Sequence, residues 1–206
     1  MKKNEIKNIL IDSINGFEDI QKYKMIGTIG SINNSKEDFG DLDLVSISDL
    51  KTHKKFLKYL SDNFSKNKIK VRFFKTIVKK PDVSKDTLLV HDLHYMDLDY
   101  FLKKEWKTVI NSILKTLSVL HGKDFFDNVP IQNISEKDIK INYLKWVNKI
   151  NDIKRYKLFE EHLLKYACQD FYDYGFNIYG DRIKEIISSD ANWKDKLRKI
   201  KEILIF

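Results

Sequence analysis

A chain of 206 residues with 42% apolar and 13% aromatic residues has the composition of a folded protein, not of a disordered tail, and is long enough to enclose a real core. It contains no apolar run near the roughly 20 residues needed to span a bilayer, and its single cysteine, Cys168, rules out a disulfide framework or a cysteine-rich metal centre. The net charge of +8 favours an anionic partner, although only four of the 38 basic residues are arginine, a lysine-heavy bias that an AT-rich genome produces without selection for binding.

The N-terminal stretch MKKNEIKNILIDSINGF is interrupted by polar residues. It reads as an amphipathic helix over 3–15, with Ile6, Ile9, Leu10 and Ile14 at helical spacing, and not as a signal peptide. With one cysteine and no targeting segment, a cytoplasmic setting is expected. Residues 23–29 are β-prone and short. Residues 41–48 (DLDLVSIS) alternate, which predicts a strand with Leu42 and Leu44 on one face and Asp41, Asp43 and Val45 on the other. A helix is predicted over 50–64, then strands over 70–78 and 87–96. Asp97 is a predicted N-cap for one long helix over 98–121 that ends at Gly122. Ser135, with Asp138 three residues later, predicts a capping box for a helix over 136–151. Helical patterns follow over 153–174, 181–188 and 191–204. The fold class predicted is therefore α+β, a small mixed sheet flanked by helices and followed by an all-helical C-terminal part. Between residues 51 and 80 stand eleven basic residues and one acid, Asp62. That segment is either a phosphate-attracting face or a solvated helix with a charge-protected edge strand.

The stretch from Gly27 to Val45, GTIGSINNSKEDFGDLDLV, carries three of the seven glycines beside two aspartates on one strand face. Two carboxylates so placed can share divalent metal, and magnesium suits oxygen donors that leave room for water and substrate phosphate. Glycines let backbone N–H groups approach a triphosphate closely, and Ser31 can donate its hydroxyl to it. As two ordinary turns, the same residues would leave close like charges without compensation.

GTIGS, a nine-residue spacer and DLDL resemble the signature of the polymerase β-like nucleotidyltransferases, on Gly30, Ser31, Asp41 and Asp43. The resemblance covers about residues 3–100 and implies a catalytic domain over 1–100, with a helical domain over 101–206 that selects the acceptor or serves interaction. It implies Mg2+, with Mn2+ as the alternative, held by Asp41, Asp43 and a third carboxylate on a neighbouring strand. Asp92 is the candidate for that third position, and Asp97 and Asp99 are the runners-up. His91 and His94 flank Asp92, as packed residues or as contacts to a phosphate or base. Gly27, Gly30, Ser31 and Lys36 are the expected nucleotide contacts. The implied reaction moves NMP from an NTP, ATP or another, to a hydroxyl of RNA, a small molecule or a protein. No membrane partner is implied. The alternative is an inactive binding module of the same fold, an antitoxin or adaptor. Two departures stand out: Gly40 replaces the usual serine or threonine before the first aspartate, and the spacer holds one basic residue, Lys36. In the helical part, the run Phe171–Gly180 reads as a stacking surface or as helix-end core, and Arg155 with His162 resembles the Arg–His pair of helical HEPN ribonucleases.

Overall fold

The computed structural model describes residues 3–33, 41–74, 87–105, 107–154 and 160–204. Helix α1 (Lys3–Asn15) follows the expected span, and strand β1 (Met25–Ile29) leads into a 3-10 turn over Gly30–Asn33. Strand β2 (Leu42–Ile47) is followed by helix α2 (Leu50–Lys66). Asp49 starts α2 by accepting the Thr52 amide at 2.9 Å. Strands β3 (Lys70–Phe74) and β4 (Thr87–Tyr95) complete the parallel part of the sheet. The remainder of the expected 70–78 strand lies outside the described residues.

The long helix expected over 98–121 is instead three elements: α3 (Leu98–Lys104), α4 (Lys107–Thr116) and strand β5 (Ser118–Gly122). Asp97 caps α3 as expected, accepting the Tyr100 amide at 2.7 Å. The C-terminal third of the pattern fails because Val119 and Leu120 are as compatible with a strand as with a helix. An open edge of β1 pairs with this segment, Gly27 opposite Val119 and Ile26 opposite His121, and overrides local propensity. Gly122 therefore ends a strand, at φ +80°, and does not cap a helix.

The sheet order is β3-β4-β2-β1-β5, with β4 parallel to both neighbours and β1 antiparallel to both of its own. One face is covered by α1 and α2, whose Ile6, Leu10, Phe56 and Phe64 pack on Leu42, Leu44, Leu88 and Val90. The other face holds Met25, Val45, Ile47 and Tyr95, packed with Phe101, Ile110, Ile113 and Phe126. A strand buried on both faces reads as apolar with few interruptions. The interruptions at Asp43, His91 and Asp92 are thus informative.

Contacts divide the chain after Ile131 into the units Met1–Ile131 and Gln132–Phe206. This differs from the sequence-based boundary at residue 100 by the segment 101–131, whose β5 is hydrogen-bonded into the sheet and whose Phe101, Ile110 and Phe126 lie in its core. The second unit comprises α5 (Glu136–Lys154), α6 (Glu160–Tyr179), α7 (Asp181–Ser188) and α8 (Trp193–Leu204). Its capping box is the one read from the sequence: Asp138 Oδ2 accepts both the Ser135 amide at 2.9 Å and its hydroxyl at 2.6 Å, and Ser135 Oγ accepts the Asp138 amide. Asp170 ties α5 to α6 by accepting from Asn142 Nδ2 at 2.6 Å and Trp146 Nε1 at 2.8 Å. The fold class is the one expected, α+β with a mixed sheet between helices, followed by helices alone. Among the described residues, no helix is long and apolar enough to cross a membrane.

Candidate functional site

In the parallel pairing of β2 with β4, Asp43 stands beside His91 and Leu44 beside Asp92. Neighbours in register project to the same face, and adjacent residues to opposite faces. Asp43 and His91 therefore share one face, and Asp41 stands just before β2, which begins at Leu42. Asp92 leaves by the other. The contacts agree. His91 Nδ1 lies 2.9 Å from Asp43 Oδ1, whereas Asp92 lies beneath α2 with His53 Nε2 3.1 Å from its Oδ2 and 2.9 Å from its Oδ1.

The structure thus does not bring Asp92 to Asp41 and Asp43. It is a buried residue of the helix-covered face, and the odd-even position of one residue in β4 decides this. Asp97 is spent as the cap of α3, and Asp99 lies in the first turn of that helix. Among the described residues no three His, Cys, Asp or Glu side chains are already gathered as a metal centre.

The row continues across β3, where Phe74 pairs with His91 and stacks on its ring, with centroids 4.9 Å apart and planes at 7°. The same alternation puts Arg72 and Lys70, both exposed, on the Asp43 face, while Val71 and Phe73 pack into the opposite core. The basic segment is thereby split by the sheet. Lys51, Lys54, Lys55 and Lys58 are exposed on α2, the helix over the face opposite Asp43, and Lys55 is engaged with Asp19 at 3.0 Å.

The glycine turn has a sharper role than clearance alone. Gly30 adopts φ +74°, and a Cβ there would sit 2.9 Å from Asp43 Oδ2. Asp43 thus has one oxygen toward His91 and the other against the turn. Asn33 pins that turn: its Nδ2 donates to the carbonyls of Thr28 at 2.7 Å and Thr116 at 3.0 Å, and its Oδ1 accepts from Thr28 Oγ1 at 2.8 Å. Gly27, expected as a nucleotide contact, is a packing residue in mid-strand, where a Cβ would meet Ser118 O at 2.8 Å and Leu117 Cδ1 at 2.9 Å. Ser31 belongs to the turn by its backbone, and Lys36 lies outside the described residues. Gly30→Ala is expected to lower stability by about 1–2 kcal/mol, from left-handed backbone strain and displacement of Asp43. A urea unfolding midpoint equal to that of the parent would refute this role.

No protein-family model matches the chain, and no curated protein matches it. Among solved structures it is similar to a toxin-antitoxin MntA-HpeT mutant, at 12% identity and a TM-score of 0.31, over 75% of this chain and 98% of that one. Similarity at this level identifies neither a family nor an activity for this chain.

Two further arrangements look chemical and serve the fold. Ser46, His53 and Asp92 form a serine–histidine–aspartate series, with Ser46 Oγ 3.3 Å from His53 Nδ1. All three are buried, so no substrate reaches the hydroxyl. Tyr23 Oη also meets His53 Nδ1 at 3.1 Å, and the His94 ring stacks on His53 at 3.9 Å while its Nε2 donates to Ser48 O at 2.9 Å. In the helical unit, burial pushes the Cys168 thiol up to about 12, so it is no thiolate at neutral pH. The aromatic run divides: Phe171 is core, with its ring 5.6 Å from Tyr143, and Phe176 is 39% exposed against Tyr172. The side chains of Arg155 and His162 lie outside the described residues.

Sequence reasoning missed Phe74, Asn33 and Thr116 as residues that build this face, and expected Asp92, where the register places His91, beside Asp43. The signal for the last was present. In VHDLHY, a strand register one residue earlier or later exchanges His91 for Asp92.

Proposed function

We propose that the sheet face bearing Asp41, Asp43 and His91 binds a nucleoside triphosphate with a divalent cation and transfers its nucleotidyl group to an acceptor hydroxyl. The observation that carries this reading is Asp43 itself. It is a carboxylate on a strand otherwise buried, flanked by Gly30 on one side and His91 on the other. The donor set fits a hard cation that arrives with its nucleotide, because magnesium is commonly held by one or two carboxylates plus substrate phosphates. Asp41 and Asp43 would hold it. When bound, such an ion neutralises charge on the phosphates in the transition state. Gly30 keeps the turn close to Asp43 without a side chain, and Arg72 and Lys70 add positive charge on the same face for phosphate oxygens.

In the reaction, the acceptor oxygen bonds to the α-phosphorus and the bond from that phosphorus to the bridging oxygen breaks. Pyrophosphate departs with the electron pair, and the hydroxyl proton passes to water. The helical unit is assigned the choice of acceptor. The test is incubation with each α-labelled NTP, Mg2+ or Mn2+ and a pool of RNA, small hydroxylated molecules and protein. Label transferred to one class supports the reading and names the acceptor.

A second reading, a nucleotide-fold binding module without turnover, is favoured by one observation: the carboxylate expected at the third position is turned to the other face. Absence of transfer with every NTP, together with cation-dependent thermal stabilisation by NTP, would favour this module over the enzyme.

A further inference from the structure

We propose that the outer face of α2 is a second binding surface, one that takes the phosphate backbone of double-stranded nucleic acid without reading its bases. The proposal stands apart from the nucleotidyl-transfer reading, since α2 covers the sheet face opposite Asp43.

The helix buries Thr52, His53, Phe56, Leu60 and Phe64, and its amphipathic spacing leaves the complementary stripe to solvent. Between residues 51 and 61 every exposed residue on that stripe is a lysine: Lys51, Lys54, Lys55 and Lys58. A helix face that is only solvated is ordinarily laced with acids three or four residues from its lysines, because such pairs stabilise it. Here those spacings join like charges, Lys51 to Lys54 and Lys55, and Lys58 to the same two, and each such pair opposes the helix. Lys51 also stands in the first turn, where the helix dipole disfavours a cation and no acid accompanies it. Among the described residues Lys51, Lys54 and Lys58 have no carboxylate at ion-pair distance. Lys55 shares Asp19 with Lys22, at 3.0 Å and 2.6 Å. The first acid on the stripe, Asp62, stands one turn beyond Lys58 and is not paired with it. An AT-rich genome explains lysine in place of arginine, but not the lack of acids among these lysines. An anion bound along the stripe removes the repulsion.

The geometry chooses the occupant. Lys51 and Lys58 are roughly 10 Å apart along the helix axis, a length that covers about three phosphates of one strand in a duplex. Lysine ammonium groups are point charges that suit phosphate oxygens, whereas the carboxylates of an acidic protein are best met by the planar fork of arginine, which α2 lacks. A bilayer surface needs an apolar face to insert, and that of α2 is closed in the core against Ile6, Leu10, Leu42 and Leu44. Unpaired bases need aromatic platforms. Tyr59, the one aromatic residue of α2 that is not buried, packs against Phe17 and donates its hydroxyl to Gly16 O at 3.0 Å.

The test is fluorescence anisotropy of the full chain with a labelled duplex of about 20 base pairs, as DNA and as RNA, at 50 and 200 mM salt. Binding is expected to be about 40-fold weaker at the higher salt, from the slope of roughly −2.7 that three phosphate contacts give. Each of Lys51→Gln, Lys54→Gln and Lys58→Gln should lessen that slope by about 0.9, and the three together should abolish binding with thermal stability at least parental. Lys194→Gln, Lys199→Gln and Lys201→Gln together remove the same charge from exposed positions of α8 and should leave binding unchanged. Loss through the α2 lysines with either duplex supports the surface, and the tighter duplex names its source. Equal loss in both triple variants would reduce the effect to net charge and overturn the surface, as would binding kept by the α2 triple variant or no binding by the parent at 50 mM salt. A single strand bound about tenfold tighter than both duplexes, or phosphatidylserine vesicles bound through the same lysines in their place, would overturn the occupant.

Discussion

Asp43→Asn is expected to lower nucleotidyl transfer by about 10²–10³-fold or more while leaving the fold in place. A cation-held carboxylate supplies several kcal/mol of charge stabilisation to a phosphoryl transition state, and each 1.36 kcal/mol is worth tenfold in rate. The substitution is chosen because asparagine keeps an oxygen that accepts from His91 Nδ1, the contact made at 2.9 Å in the parent. With Asp43 partly exposed, the exchange of that hydrogen bond should cost no more than about 1 kcal/mol, or roughly 3 °C in Tm for a chain of this size. Asp41→Asn should have a similar effect on transfer and less on stability, since Asp41 lies outside β2 at its entry. The paired measurement is single-turnover transfer against thermal unfolding. Full transfer by both variants would remove the carboxylates from the chemistry.

Asp92→Ala should behave in the opposite way. Asp92 and His53 are each 1% exposed in their side chains and lie within 3.1 Å of each other beneath α2. Removing one partner of a buried ionisable pair leaves the other unmatched, which costs about 3 kcal/mol or more. The expected outcome is a Tm lower by roughly 10 °C, read in thermal melts, with transfer per folded molecule unchanged. Loss of Tyr23 and Ser46 contacts to His53 should lower stability less, because the Asp92–His53 contact survives. An Asp92→Ala protein with parental stability and no transfer would return Asp92 to the chemistry.

The contrast between these two aspartates marks where reading the sequence succeeds and where it stops. Alternation in DLDLVSIS marked the strand and set Asp43 on the face opposite Leu42 and Leu44, because a strand has a period of two whatever it pairs with. The helix starts at Asp97 and Ser135 were equally legible, since capping is settled within four residues of chain. The segment Ser118–Gly122 was not, because its apolar residues satisfy both periods and the open edge of β1 chose between them.

Which residue of β4 stands beside Asp43 was beyond the sequence for the same reason. His91 and Asp92 are neighbours in the chain, and either could have faced Asp43. The pairing of β4 with β2 set the register, and burying Leu42 and Leu44 with Leu88 and Val90 under α1 and α2 fixed it, since a slip of one residue would expose that core. The sequence by itself determined the carboxylate pair, the turn beside it and the class of fold. The tertiary structure alone decided which neighbour stands beside Asp43, because that choice is made by packing between strands that no local pattern records.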